Sequence, residues 1–331
     1  MTRMLKYKIA TLLFLLLPIL GWGQNEFPKD TSFSVYSAGK KIEKDFPQAS
    51  PVKEIVSSEF LSLPNQVYRI RPNRKLRMDV FLPNRDCGQK RPVVMMIHGG
   101  GWRSGNKSHL IPMAQQLAAD GYVTASVEYR LSIEAIYPAA IYDLKEAIRF
   151  LKHNSDLYGI DTTKIAVLGC SSGATLASFM AATAGIKKFD DPESVYSNYS
   201  SRVQALVNVD GVVDYTDPNE SRKITNPNKP SAASLFFGVT YQENPKLWEE
   251  ASPINYVDEN MPATLYINSA LPRFHAGRDS SFHILDRNKT YHEVHTIEKT
   301  PHPFWLFHPW FEEAHGCILN FLNTVFRCDR S

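Results

Sequence analysis

The chain has 331 residues, of which 43% are hydrophobic and 21% charged. That is enough apolar side chain for a large folded domain, and it excludes a disordered or collagen-like polymer. The formal net charge of +3 traces to Arg3, Lys6 and Lys8; leaving these out of the 37 basic residues balances the 34 acidic ones. A chain without net charge from Gln24 onward has no electrostatic footprint for nucleic acid, and no nucleic-acid partner is expected.

The three basic residues precede an apolar stretch, Ile9–Leu20, and the small residues Gly21 and Gly23. This is the layout of a signal peptide over residues 1–23, with cleavage expected before Gln24 and a secreted or periplasmic product. The stretch is shorter than the roughly 17–25 residues that cross a bilayer, so no membrane association is expected after cleavage. Four cysteines are too few for a disulfide scaffold but allow a single bridge in an exported protein. Cys317 and Cys328, if both lie on the helix suggested by Ile318, Leu319, Phe321, Leu322 and Phe326, stand roughly 16 Å apart along its axis, beyond bonding reach. There is no CxxC pair and no HExxH, so no metal site is assigned.

From Gln24 to residue 65, Pro28, Pro47, Pro51 and Pro64 interrupt the candidate elements, and the segment is read as an N-terminal extension. The main domain, 66–331, opens with a hairpin, Gln66–Ile70 and Leu76–Leu82, followed by the apolar run Pro92–Ile97, which suits a strand buried on both faces. A helix over Ile111–Ala119, a strand over Tyr122–Tyr129, a helix over Asp143–Asn154 and a strand over Lys164–Leu168 follow in turn, then an Ala-rich helical stretch, Ala174–Ala182. Strands at Val203–Val209, Ala263–Asn268 and Tyr291–Ile297 complete the pattern before the C-terminal helix. Alternation of this kind predicts an α/β fold with a mostly parallel central sheet flanked by helices. Between residues 214 and 251 it breaks into a Pro- and Asn-rich stretch, expected to be a cap insertion over the active site.

Two motifs carry chemistry. Gly169-Cys170-Ser171-Ser172-Gly173 lies between a strand and a helix, where small flanking residues allow a tight turn that presents the Ser171 hydroxyl at a helix N-terminus. His98-Gly99-Gly100-Gly101-Trp102 follows the Pro92–Ile97 strand. Its glycines bring backbone N–H groups close to a substrate oxygen, so Gly100 and Gly101, with the N–H of Ser172, are the candidate oxyanion donors. His98 is read as a residue that fixes this loop rather than as a base.

With Glu128-Tyr129-Arg130-Leu131 and the C-terminal stretch that begins at Ser252-Pro253, these motifs resemble the α/β-hydrolase serine esterases. Within that fold the chain is similar to the exported bacterial carboxylesterases of the hormone-sensitive-lipase-like and acetyl-xylan or feruloyl-esterase-like groups, and to esterase modules found with pectin- and plant-polysaccharide-degrading enzymes. The resemblance covers about Leu76 to Phe326. It departs from the common elbow at Cys170, Ser172 and Ala174. The chain order it implies is Ser, then acid, then His. His302 follows the last strand and is the expected base, with His308 and His315 as rivals. Asp279, in the stretch after Ala263–Asn268, is the expected acid; Asp210, at the end of Val203–Val209, is the alternative, and Asp214 a third.

Arg273, His275 and Arg278 crowd that same stretch and fit either the carboxylate of a uronic-acid sugar or an ordinary salt-bridged loop. Trp102, Trp305 and Trp310 are candidate sugar-stacking residues. The resemblance implies a cofactor-free esterase that removes small acyl groups, foremost acetyl, from a carbohydrate, with no obligate protein partner. Methyl-ester, feruloyl-ester or short-peptide hydrolysis at the same site, and a non-catalytic carbohydrate-binding protein on the same scaffold, are the alternatives.

Overall fold

The computed structural model describes residues 30–84, 88–221 and 230–326. The expected signal segment, Cys87 and Cys328 lie outside them. Among the described residues, the centre of the molecule is an eight-stranded sheet. Its strands are β1 (Phe60–Arg71), β2 (Arg74–Pro83), β3 (Arg91–Ile97), β4 (Val123–Val127), β5 (Ile160–Cys170), β6 (Ala205–Val209), β7 (Ala263–Ser269) and β8 (His292–Ile297). They run in the spatial order β1-β2-β4-β3-β5-β6-β7-β8. The antiparallel part is confined to the start: β2 pairs antiparallel with β1 and β4, and every pairing from β4 to β8 is parallel. This is the α/β-hydrolase arrangement.

The apolar run of β3 shows why the sheet is covered on both sides. Val93, Met95 and Ile97 face one core layer and Val94 and Met96 the other, all fully buried, as the two-residue repeat of a strand dictates. Helices α3 (Ala139–His153) and α4 (Ser172–Ala182) close the first layer through Leu144, Ile148, Leu176 and Met180. Helices α2 (Ile111–Ala119) and α8 (Trp310–Phe326) close the second through Met113, Leu117, Ile318 and Phe321. Arg130, from the Glu128–Leu131 block, ties β4 to α3 by donating to both carboxylate oxygens of Asp143, at 2.7 and 2.8 Å.

Two expectations need correction. The boundary expected at residue 66 falls inside β1, because a register shift between Leu63 and Gln66 absorbs Pro64 and Asn65, the latter at φ 57°; proline is tolerated at such a bulge because no ladder N–H is required of it. The N-terminal extension, whose prolines were expected to interrupt every candidate element, holds helix α1 (Val35–Ile42), started by a reciprocal Ser34–Ser37 capping box, and buries Ala38 and Ile42 in the second core layer. Further on, Ser50–Pro51 pairs antiparallel with Phe307–His308. The 214–251 stretch, in its described parts, forms Pro218–Ser221, α5 (Ala232–Phe237) and α6 (Pro245–Ala251), and it packs onto the body through Tyr215, Phe236, Phe237 and Trp248.

Candidate active site

The C-terminal ends of β3, β5 and β6 meet at one point, the place where parallel sheets present their loops to a ligand. Ser171 stands between β5 and α4 at φ 54° and ψ −126°, a strained conformation for a residue with a side chain. Its N–H is anchored to the Val209 carbonyl at 2.8 Å. The turn closes only because its flanks are glycine: a Cβ on Gly173 would lie 2.2 Å from the Ile97 carbonyl oxygen, and one on Gly169 would lie 2.2 Å from that of Gly173.

His302, on the loop after β8, places Nε2 2.7 Å from Ser171 Oγ. Its Nδ1 lies 2.6 Å from Asp210 Oδ2. A carboxylate only accepts, so Nδ1 carries the proton, and Nε2 is left to accept from the serine hydroxyl. Asp210 is fully buried at the end of β6 with φ 57°. Its further partners are the Ser269 N–H (2.9 Å), Ser269 Oγ (2.7 Å) and Asn268 Nδ2 (3.5 Å), none of them a lysine or arginine. The imidazole is held flat against Phe274, with ring centroids 3.6 Å apart at 6°, and edge-on to Trp305 at 5.2 Å.

The glycine loop after β3 lies against this arrangement. A Cβ on Gly99 would sit 2.8 Å from the Cys170 carbonyl oxygen and 3.0 Å from Ser171 Cβ. Gly100 adopts φ 131°, where a side chain would collide with Ser104. The Ser172 N–H belongs to the first turn of α4, whose donors have no partner within the helix. His98 supports the loop from behind: its Nδ1–H donates to the Gly99 carbonyl at 2.9 Å, its ring stacks on Tyr129 at 4.5 Å, and the Tyr129 hydroxyl donates to the His98 carbonyl at 2.9 Å. Burial pushes the His98 imidazole down to about 3 and that of neighbouring His109 down to about 4, so both rings are neutral near pH 7. The adjacent Cys170 thiol is pushed up by burial and by the nearby Asp210.

Ser171 and His302 are thus brought together, with Ser172 next to Ser171 at the start of α4 and the glycine loop against the elbow through Gly99, and Asp279 is not part of this arrangement. Asp279 lies in the first turn of α7 (Arg278–Arg287), its side chain 73% exposed and paired with Arg278 at 2.9 Å. The geometry replaces Asp279 by Asp210, because β6 ends beside the elbow while the loop after β7 runs on to the surface. His308 and His315 pair instead with Glu312 and Asp120.

The substrate contacts read from the sequence are also revised. Trp102 and Trp305 are buried, Trp102 stacked on Phe236 at 5.3 Å, so neither ring offers a face to a sugar. Arg273 is engaged by the buried Glu220 at 2.6 Å, Arg278 by Asn268 at 3.0 Å as well as by Asp279, and His275 Nε2 by the Ser269 carbonyl at 2.9 Å. These side chains form a salt-bridged loop, the second of the two readings open for them. Ser269 and Phe274 were not singled out from sequence. A serine at a strand end and a phenylalanine in a polar loop carry no spacing that marks them.

The BD-FAE family model matches residues 78–271, a span that holds the glycine loop, the elbow, Asp210 and Ser269. The chain belongs to the BD-FAE family. Among curated relatives it is 30% identical to the esterase LipQ of Mycobacterium tuberculosis over 183 residues, 54% of this chain and 42% of that one. It is 40% identical to the carboxylesterase NlhH of the same species over 91 residues, 27% of this chain and 28% of that one. The chain thus spans well under half the length of these relatives. Among solved structures it resembles a bifunctional GH43-CE protein of Bacteroides eggerthii, with TM-score 0.69 and 26% identity over 80% of this chain and 38% of that one. A truncated carbohydrate esterase from gut microbiota shares the fold, with TM-score 0.68 and 23% identity over 82% of this chain and all of that one.

Proposed function

We propose that this BD-FAE family member is a serine carboxylesterase that removes small acyl groups, foremost acetyl, from a carbohydrate. The observation that carries the reading is the continuous relay Ser171 Oγ–His302 Nε2 at 2.7 Å and His302 Nδ1–Asp210 Oδ2 at 2.6 Å. In the proposed reaction His302 takes the Ser171 proton as Oγ attacks the ester carbonyl, and Asp210 stabilises the imidazolium. The N–H groups of Gly100, Gly101 and Ser172 receive the negative charge on the carbonyl oxygen. Collapse expels the sugar hydroxyl with the proton from His302, and a water activated by the same ring then releases the carboxylic acid.

A small acyl group is favoured by the roof of the site. Ala232 of α5 stands 3.2 Å from where a Cβ of Gly101 would be, and Phe236 stacks on Trp102, so small and apolar side chains of the cap stand over the glycine loop. The carbohydrate part of the reading draws on the solved neighbour described as a carbohydrate esterase from gut microbiota. Export is proposed from the basic start and apolar stretch ahead of Gln24.

The test is acid and alcohol release from acetylated, methylated and feruloylated plant polysaccharides, with Ser171→Ala as control. Acetate release that vanishes in the variant supports the reading, and release of methanol or ferulate alone replaces the proposed acyl group. No release from any substrate, with 4-nitrophenyl acetate also untouched, contradicts it. N-terminal sequencing of the extracytoplasmic protein should begin at Gln24.

A further inference from the structure

The N-terminal extension walls a cavity of about 450 Å³ together with α2, the loop after β8 and α8. The extension supplies Val35 and Val52, α2 supplies Met113, the loop supplies Trp305 and α8 supplies Phe311. A largely apolar cavity of this size with one built-in polar group is the form of a small-molecule site. The polar group is His109, which lines the cavity and is 7% exposed. Its Nδ1 is buried without a hydrogen-bond partner, and its Nε2 has none among the described residues. The neutral ring therefore has a donor and an acceptor to spare. At the rim, Lys53 and Glu54 stand side by side, and their opposite charges leave nothing to select an ionic ligand.

Two walls of the cavity are one ring away from the machinery of the site. Trp305 meets the His302 imidazole edge-on at 5.2 Å. His109 meets the His98 ring edge-on at 6.3 Å, and His98 in turn holds the Gly99 carbonyl. The extension is fastened to the same two places. Asp30 pairs with Arg103, just after the glycine loop, at 2.5 Å, and Phe33 packs edge-on against His109 at 5.4 Å. On the other side the Val52 N–H donates to the Leu306 carbonyl at 3.0 Å.

We propose that this cavity is an effector site for a small uncharged phenol, whose ring lies among Met113, Trp305 and Phe311 and whose hydroxyl pairs with His109. Aromatic and thioether side chains suit an aromatic guest, and the hydroxyl meets the hydrogen-bonding need that His109 leaves open. An occupant fills the space beside Trp305 and keeps that ring against His302, so binding raises kcat. The cavity stands whatever Ser171 does; the coupling rests on the reading of His302 as the base.

The test titrates the full-length protein with 4-methylphenol and with toluene, which lacks the hydroxyl. Binding is followed by the ε-methyl signal of Met113 in methionine-labelled protein, assigned with Met113→Leu. Both probes should shift the signal saturably, 4-methylphenol about fivefold more tightly, the worth of one net hydrogen bond. His109→Phe should erase that preference, and Val52→Trp, which fills the cavity from the half-buried extension, should abolish the shift. With 4-methylphenol at saturation, kcat on glyceryl triacetate, whose alcohol is no phenol, should rise at least about twofold with KM unchanged. Val52→Trp should show no such response.

An unmoved Met113 signal, or equal affinity for the two probes, would overturn the proposal. So would a parental response in Val52→Trp, an unchanged or lowered kcat, or a raised KM, which would place the probe at Ser171. If His109→Phe does not fold, the two probes and Val52→Trp decide. The methyl shift does not depend on turnover. A parent protein that binds the probes but hydrolyses no ester overturns the esterase reading, while the shift still decides the cavity.

Discussion

The ends of β6 and β7 lie side by side, and each strand is followed by an aspartate. Asp210 is fully buried and meets a histidine, a serine and an asparagine. Asp279 is largely exposed and meets an arginine. The contrast teaches that the carboxylate able to orient a base is the one whose surroundings supply hydrogen bonds without a competing cation. An exposed ion pair such as Asp279–Arg278 is worth little, because water and salt screen it.

The most severe test of this contrast is the pair of amide replacements. Asp210→Asn keeps the side-chain volume but disfavours the tautomer that leaves Nε2 free, and it should cost on the order of 10⁴ in kcat. Asp279→Asn should stay within about twofold of the parent. Matched melting curves are needed to separate lost chemistry from lost fold. The glycine loop tests the buried side of the site without touching a charge. Gly100→Ala would place a Cβ 2.1 Å from the Ser104 carbonyl oxygen, and displacing one oxyanion donor typically lowers kcat by roughly 10²–10³.

Within the loop after β7, Phe274 touches the base, whereas its neighbour Arg273 is spent on Glu220. Phe274→Ala frees the imidazole to rotate and should reduce kcat by about tenfold with KM little changed, and Phe274→Leu should recover part of the loss. A preserved kcat in Phe274→Ala would show that the stack does not hold the base.

The smallest effect is on stability and sharpens the same contrast for histidines. Buried His98 and His109 are held down to about 3 and about 4, against 6.5 for the unperturbed side chain. Below pH 6.5 the unfolded chain therefore binds more protons than the folded one, so stability falls as the pH drops from 6.5 toward those values and is unaffected above that window. The melting temperature should be level from pH 7 to 8 and decline from pH 6 to 4, with a shallower decline in His109→Phe. An equally steep decline in that variant would assign the loss to other groups.

Much of this was legible in the chain. The helix expected over Ile111–Ala119 has those bounds, and Gly169–Gly173 and His98–Trp102 were readable because a tight turn and a close backbone approach both demand glycine at fixed positions. What stayed hidden depends on contacts between distant segments. Asp210 against Asp279 is decided by which strand end lies beside the elbow. Trp102 looks available to a sugar until Phe236, more than a hundred residues on, covers it. Helix α1 was obscured because Pro28 and Pro47 flank it without entering it, while Ser34 and Ser37 supply its start.

The most direct measurement of the central relay is the rate at which a fluorophosphonate labels Ser171, read by mass spectrometry of the modified peptide. Labelling needs the nucleophile, the base and the acid but no substrate sugar, so it is independent of the acyl group or carbohydrate. The relay predicts a single adduct on Ser171, formed at the parental rate in Asp279→Asn and slowed by orders of magnitude in a folded Asp210→Asn. An adduct on another serine, or fast labelling in Asp210→Asn with slow labelling in Asp279→Asn, would contradict it.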